Sequence, residues 1–235
     1  MVAVEEDEAN IDFTFDLNEF FATKDNGYFE HEAEVINFLD CLATNEKYPF
    51  STAELRDEIR HSFWLLNRVA SAKALQRLLK SHDIFKDYTV VLAAGDGRSN
   101  DDSDLVAVGK SLDKVRTAIA EAEESDGKTI TLSVGQLTTG VTVPEWTAVI
   151  MLSDVSSPAQ YMQAAFRAQN PCTFERAGHV FQKQNAYIFD FAPERTLRIF
   201  DAFANNLHPN PSGDPVRRQE NIRTLLNFFP VLGED

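Results

Sequence analysis

Residues Thr129–Pro171 read TITLSVGQLTTGVTVPEWTAVIMLSDVSSPAQYMQAAFRAQNP, and this stretch decides the fold. Two β-type runs, Thr129–Val134 and Thr147–Leu152, bracket a polar loop. A helix is expected from Pro158, a favoured first-turn residue, with Ser157 as cap and Gln160 completing a capping box. Gln163, Arg167 and Asn170 follow at spacings of four and three, which puts them on one helical stripe. An arginine displayed there, beyond the ends of buried strands, is placed to meet phosphate.

Strand–helix alternation extends on both sides of this stretch. His61–Asn67 (HSFWLLN) is an apolar run, and Ser71–His82 reads as a helix with Leu75, Leu78 and Leu79 inward. Tyr88–Ala93 is the next strand, ending in Gly95-Asp96-Gly97. Leu105, Val108, Leu112, Val115, Ile119 and Ala122 give a long amphipathic helix that stops at Asp126-Gly127. Asn185–Phe191 is a further strand, Pro193 opens a helix through Phe203, residues 208–219 form a loop, and Ile222–Phe229 is a terminal helix. Ahead of all this, Glu32–Ala43 is helical, Pro49 interrupts, and Ser51 with Glu54 forms a capping box for a short helix to Arg60. Such alternation implies an α/β fold, a parallel sheet with helices on both faces, whose ligands bind outside the carboxyl ends of the strands. The expected division is an acidic linker and small helical segment over 1–60, the α/β domain over 61–207, and a loop and helix over 208–235.

Gly135–Pro144 (GQLTTGVTVP) and Gln163–Pro171 (QAAFRAQNP) resemble the last two signature motifs of superfamily 2 helicases, in the form seen in restriction-type DNA translocases. The resemblance covers about residues 60–205. It implies the second, RecA-like domain of a DNA helicase or translocase from a restriction–modification system. In that family the first motif touches the nucleic-acid backbone, which places Thr138 and Thr139 there. Gly140 stands at the turn, with Thr142 where an acid usually reaches the nucleotide ribose. The second motif implies Arg167 as an arginine finger on the γ-phosphate with Gln163 beside it, while Asn170 replaces a second arginine. Such a finger stabilises charge on the transferring phosphoryl group. His61–Leu75 resembles the strand–loop–helix that begins the lobe, with Asn67, Arg68 and Ser71 where DNA phosphates pass, although Ser71 is equally a helix cap. Gly95 is a further candidate phosphate contact. Tyr187–Arg195 (YIFDFAPER) is similar to restriction-associated helicases.

ATP and Mg²⁺ would then be held mainly by a first RecA-like domain absent from this sequence, expected upstream in the same gene. Gly109-Lys110-Ser111 and Gly127-Lys128-Thr129 mimic a phosphate loop, but Asp104 and Ala122 stand where its first Gly is required. Asp7-Glu8-Ala9-Asn10 lacks the preceding strand of a metal-binding helicase box, and the five His show no metal spacing. The expected partners are DNA, the N-terminal helicase domain, and nuclease or methyltransferase domains. A rival reading is a non-catalytic helicase-like module retained for assembly.

Net charge is −15, against a large basic nucleic-acid face, yet residues 1–60 carry 16 acids and 4 bases. From Gln160 to Arg223 there are eight bases and six acids. With 43% hydrophobic residues and 18 Phe, a core is assured. No apolar run approaches the roughly 20 residues of a membrane helix, no secretory signal is visible, and Cys41 and Cys172 stand far apart. A reduced, cytoplasmic protein is expected.

Overall fold

The computed structural model describes residues 15–46, 48–94, 101–138, 140–176, 178–206 and 215–228. Five strands, β1 (His61–Leu65), β2 (Tyr88–Ala93), β3 (Lys128–Ser133), β4 (Ala148–Met151) and β7 (Tyr187–Asp190), form one sheet in the order β2-β3-β1-β4-β7. Every pairing in it is parallel. Strand β1 lies at the centre and all five of its residues are buried, as a continuous apolar run demands.

Side chains alternate between two cores. Trp64, Leu66, Ile130, Leu132, Ile150 and Leu152 face one side, against α1 (Leu17–Phe20), α2 (Glu32–Thr44) and α4 (Val69–Ser81), while the short α3 (Ala53–Glu58) buries no residue and leads into β1. Phe63, Leu65, Val149 and Met151 face the other, against α5 (Asp101–Glu124), α6 (Pro158–Ala165), α7 (Pro193–Asn206) and α8 (Pro215–Phe228). This is the expected α/β arrangement, a parallel sheet between two helical layers.

Three local expectations are corrected. The cap of α3 is Thr52, which accepts from the Leu55 amide, whereas Ser51 donates to the Tyr48 carbonyl. Helix α6 ends at Ala165 and tightens into a 3-10 turn, Phe166–Gln169. Pro171 explains this, because it drives Asn170 into extended backbone (φ −69°, ψ 133°). Finally, Thr173–Arg176 (β5) and His179–Gln182 (β6) form an antiparallel hairpin that the hydrophobic pattern does not announce. Among the described residues no helix is long and apolar enough to cross a membrane.

Candidate functional site

At the carboxyl ends of the strands, Leu66 still pairs with β3 through its amide to the Ser133 carbonyl (2.9 Å), so Asn67 emerges at the sheet's rim. The Asn67 side-chain oxygen is buried and has no hydrogen-bond partner among the described residues. Arg68 beside it is exposed and starts α4 without capping it through its side chain. Ser71 does not belong to this surface. It is fully buried inside α4 and donates its hydroxyl to the Phe21 carbonyl at 2.6 Å. It is therefore neither a cap nor a phosphate contact. Gly95 and Thr139 lie outside the described residues.

After β3 the chain crosses to β4 through a loop rather than a helix. Its first half is closed on itself: Thr138 donates to the Gly135 carbonyl (2.6 Å), Ser133 donates to the Gln136 carbonyl, and Leu137 is buried. Gly140 then turns with φ +70°, a left-handed backbone that favours glycine. Beyond it Val141 and Val143 point inward while Thr142 is exposed.

Arg167 reaches this loop from the 3-10 turn. Its Nη1 donates to the Val141 carbonyl and its Nε to the Gln163 carbonyl at 3.1 Å. Arg116 of α5 donates to the neighbouring Thr142 carbonyl at 3.3 Å. So the two signature segments meet through a guanidinium. Burial draws Arg167 below its usual arginine value, though a guanidinium stays charged throughout the working range.

The three-residue stripe does not form. Gln163 is exposed on α6, whereas Asn170 lies past the turn and donates back to the Arg167 carbonyl (3.4 Å). Arg167 is also not at the mouth of the sheet. Helix α6 begins beyond the carboxyl end of β4 and runs back, so its far end lies beside the start of that strand. Lys183 shows this directly, since its Nζ donates both to Trp146, just before β4, and to Ala168. Asn67 and Arg68 thus occupy the rim, and Gly140, Thr142 and Arg167 the flank. A hollow of about 690 Å³ opens next to the turn, bordered by Phe166, Gln169 and Pro171.

Sequence reasoning missed two constellations. One is Lys183, invisible because the hairpin that carries it was. The other is an ionic cluster at the amino end of the sheet. Glu123 takes His61 Nε2 at 2.7 Å and is gripped by Arg176 through Nε and Nη2, both at 2.7 Å, while Arg60 binds Asp126 at 2.6 Å. A histidine opening an apolar strand is the one signal that marked it. Among the described residues no three His, Cys, Asp or Glu are grouped to hold a metal ion.

No protein-family model matches the sequence. Among curated proteins the chain is similar to a Mycoplasma pneumoniae protein named "Putative type II restriction enzyme and methyltransferase RM.MpnORF110P C-terminus", at 28% identity over 213 residues. The match takes in 88% of this chain and 28% of the relative, so the chain spans just over a quarter of that protein's length. Among solved structures it is similar to the C-terminal part of the Fun30 ATPase domain, at 15% identity and a TM-score of 0.38, over 88% of this chain and 56% of the other. It is likewise similar to S. cerevisiae Dbp5 bound to RNA and ADP BeF3, at 16% identity and a TM-score of 0.40, over 82% and 41%. The strand pairings themselves define a five-stranded parallel sheet. The chain is an α/β domain with a parallel sheet between two helical layers, similar in sequence to just over a quarter of a protein named for restriction and methylation.

Proposed function

We propose that this chain is the second motor lobe of an ATP-dependent DNA helicase or translocase serving a restriction–modification system. The observation that carries this is the meeting of Arg167 with the Gly140–Val143 loop, which joins the two motif segments in one place. Two backbone carbonyls hold the guanidinium in a set orientation before any anion arrives. A preset cation needs little reorganisation when charge develops on a transferring phosphoryl group. Arg167 therefore acts as the arginine finger, with Gln163 next to it and Gly140, Thr142 and Asn170 framing the nucleotide's edge. ATP and Mg²⁺ are bound mainly by a first RecA-like lobe that supplies the phosphate loop. Asn67, Arg68, Thr138 and Thr139 grip the DNA backbone, and cycles of closure move the strand. Nuclease or methyltransferase domains are the expected neighbours in the assembly, and the cytoplasm the expected location.

A second reading, a non-catalytic helicase-like module, is favoured by one specific observation. Arg167 and Asn170 both spend hydrogen bonds on the domain's own backbone. One experiment separates the two. The chain is combined with the ATP-site lobe encoded beside it, and DNA-stimulated ATP hydrolysis is compared with that of an Arg167→Ala pair. The motor reading expects a loss on the order of 10³-fold. Equal hydrolysis by both pairs, or none by the native pair, overturns it in favour of the assembly module.

A further inference from the structure

Lys183 follows β6 and is half-buried. Its backbone amide donates to the Cys172 carbonyl at 2.9 Å, closing the base of the hairpin. Its ammonium donates to three backbone carbonyls: Pro144 at 2.9 Å, Trp146 at 3.0 Å and Ala168 at 2.7 Å. An ammonium has three N–H donors, and all three are used here. Two of the acceptors lie at the end of the β3–β4 crossover that contains Gly140 and Val141. The third belongs to the residue after Arg167. Three carbonyl oxygens converging on one point repel one another unless a cation sits between them, and charge-assisted bonds of this kind are the strong ones.

We infer that Lys183 is a positioning residue, whose ammonium fastens the Arg167 turn to the crossover and so sets where the guanidinium points. The inference rests on the finger role proposed for Arg167, since only then does the placement matter to a reaction. The hairpin acquires a purpose through it: β5 and β6 exist to return the chain to this spot. Misplacement by about an ångström suffices to cost on the order of 100-fold in rate.

The test uses Lys183→Met, which keeps the apolar stem and removes the donors, and the milder Lys183→Gln. In the chain carrying isotope-labelled arginine, the Arg167 Nε–H resonance is identified by its loss in Arg167→Ala. The inference expects that resonance to shift and to exchange faster with solvent in Lys183→Met. In the two-lobe assay it expects kcat to fall about 10- to 100-fold with KM for ATP held within about twofold, the mark of an interaction expressed in the transition state. Lys183→Gln, with two donors left, falls between, and Lys183→Met adds no further loss to Arg167→Ala. Should Lys183→Met fail to fold, the Gln variant decides by the same two readouts. A lowered melting temperature with an unmoved Arg167 resonance and unchanged kcat overturns the inference and leaves Lys183 a fastening alone. If instead Arg167→Ala hydrolyses ATP normally, the finger role fails by itself, while the resonance still reports whether Lys183 orients the turn.

Discussion

His61 is fully buried, and burial is the chief force pushing it below its usual value of 6.5, against the pull of the Glu123 carboxylate. Nearby Arg176 and Arg60 push the same way as burial. The ring is therefore neutral in the folded protein near neutral pH. Its Nε2–H donates to Glu123, which leaves Nδ1 to accept from the Thr129 hydroxyl at 2.9 Å. For Glu123, burial raises the carboxyl, but hydrogen bonds from His61 and Arg176 outweigh it and bring the value down to about 2. On unfolding, His61 takes up a proton below about 6.5 and Glu123 below about 4.5, values the folded protein resists. The unfolded chain thus binds more protons, so stability falls as pH falls. The His61 share is lost from 6.5 downward, and the Glu123 share from 4.5 toward 2. Calorimetric melting is expected to show the first loss in the native chain and a flatter curve in His61→Gln over the same interval. Parallel curves would remove His61 from the account.

At the level of elements, the β3–β4 crossover bends through left-handed backbone at Gly135, Leu137 and Gly140. Leu137 accepts that conformation with a side chain, offset by complete burial. Gly140 has open space where a Cβ would stand, so a substitution there meets backbone strain and nothing else. Gly140→Ala is expected to destabilise the chain by about 1 kcal/mol, and Gly140→Asn by less, because Asn tolerates this region through its short polar side chain. Urea unfolding of the three proteins reads the order directly; an Ala variant as stable as the native chain contradicts it. These elements also mark where sequence was informative. Apolar recurrence at three and four located α2, α4 and α5, and the unbroken run from His61 located the central strand. The hairpin escaped because Phe174 is its one buried residue and all of β6 is exposed. Gly178, at φ +76°, was the available turn signal. Of the candidate site, the sequence singled out Arg167 and the Gly140 loop but placed the arginine at the mouth of the sheet, and helical spacing alone could not foresee that Pro171 would unwind the turn and fold Asn170 back.

Across the whole molecule, the described part of the acidic N-terminal segment, from residue 15, is part of the core rather than an appendage to it. Leu17, Phe21, Phe29, Val35, Leu39, Leu42, Phe50 and Ile59 are buried against the same sheet face as Trp64, Ile130 and Ile150. Polar ties reinforce this: the Leu17 amide donates to Asp154 at 2.7 Å, the Asp154 amide to Asn18 at 3.0 Å, and Arg77 binds Glu32 at 2.9 Å while stacking over Tyr28. Burying each large apolar side chain contributes about 1.5–3 kcal/mol. Eight of them together rival the roughly 5–15 kcal/mol that separates a folded domain from its unfolded state. A chain beginning at His61 keeps every strand and both motif segments but leaves one sheet face covered by α4 alone. It is expected to lose its cooperative thermal transition and to aggregate, whereas the full chain melts in a single step. The same geometry sets the Asp16 carboxylate against Asp154 in the loop after β4. On the proposed motor reading that placement opposes a polyanion, which leaves the grip on DNA to local contacts such as Asn67 and Arg68 and to the partner lobe. Circular dichroism melting of the two chains side by side settles the first point. A cooperative transition in the shortened protein, at the native temperature, would return residues 15–60 to the status of a linker.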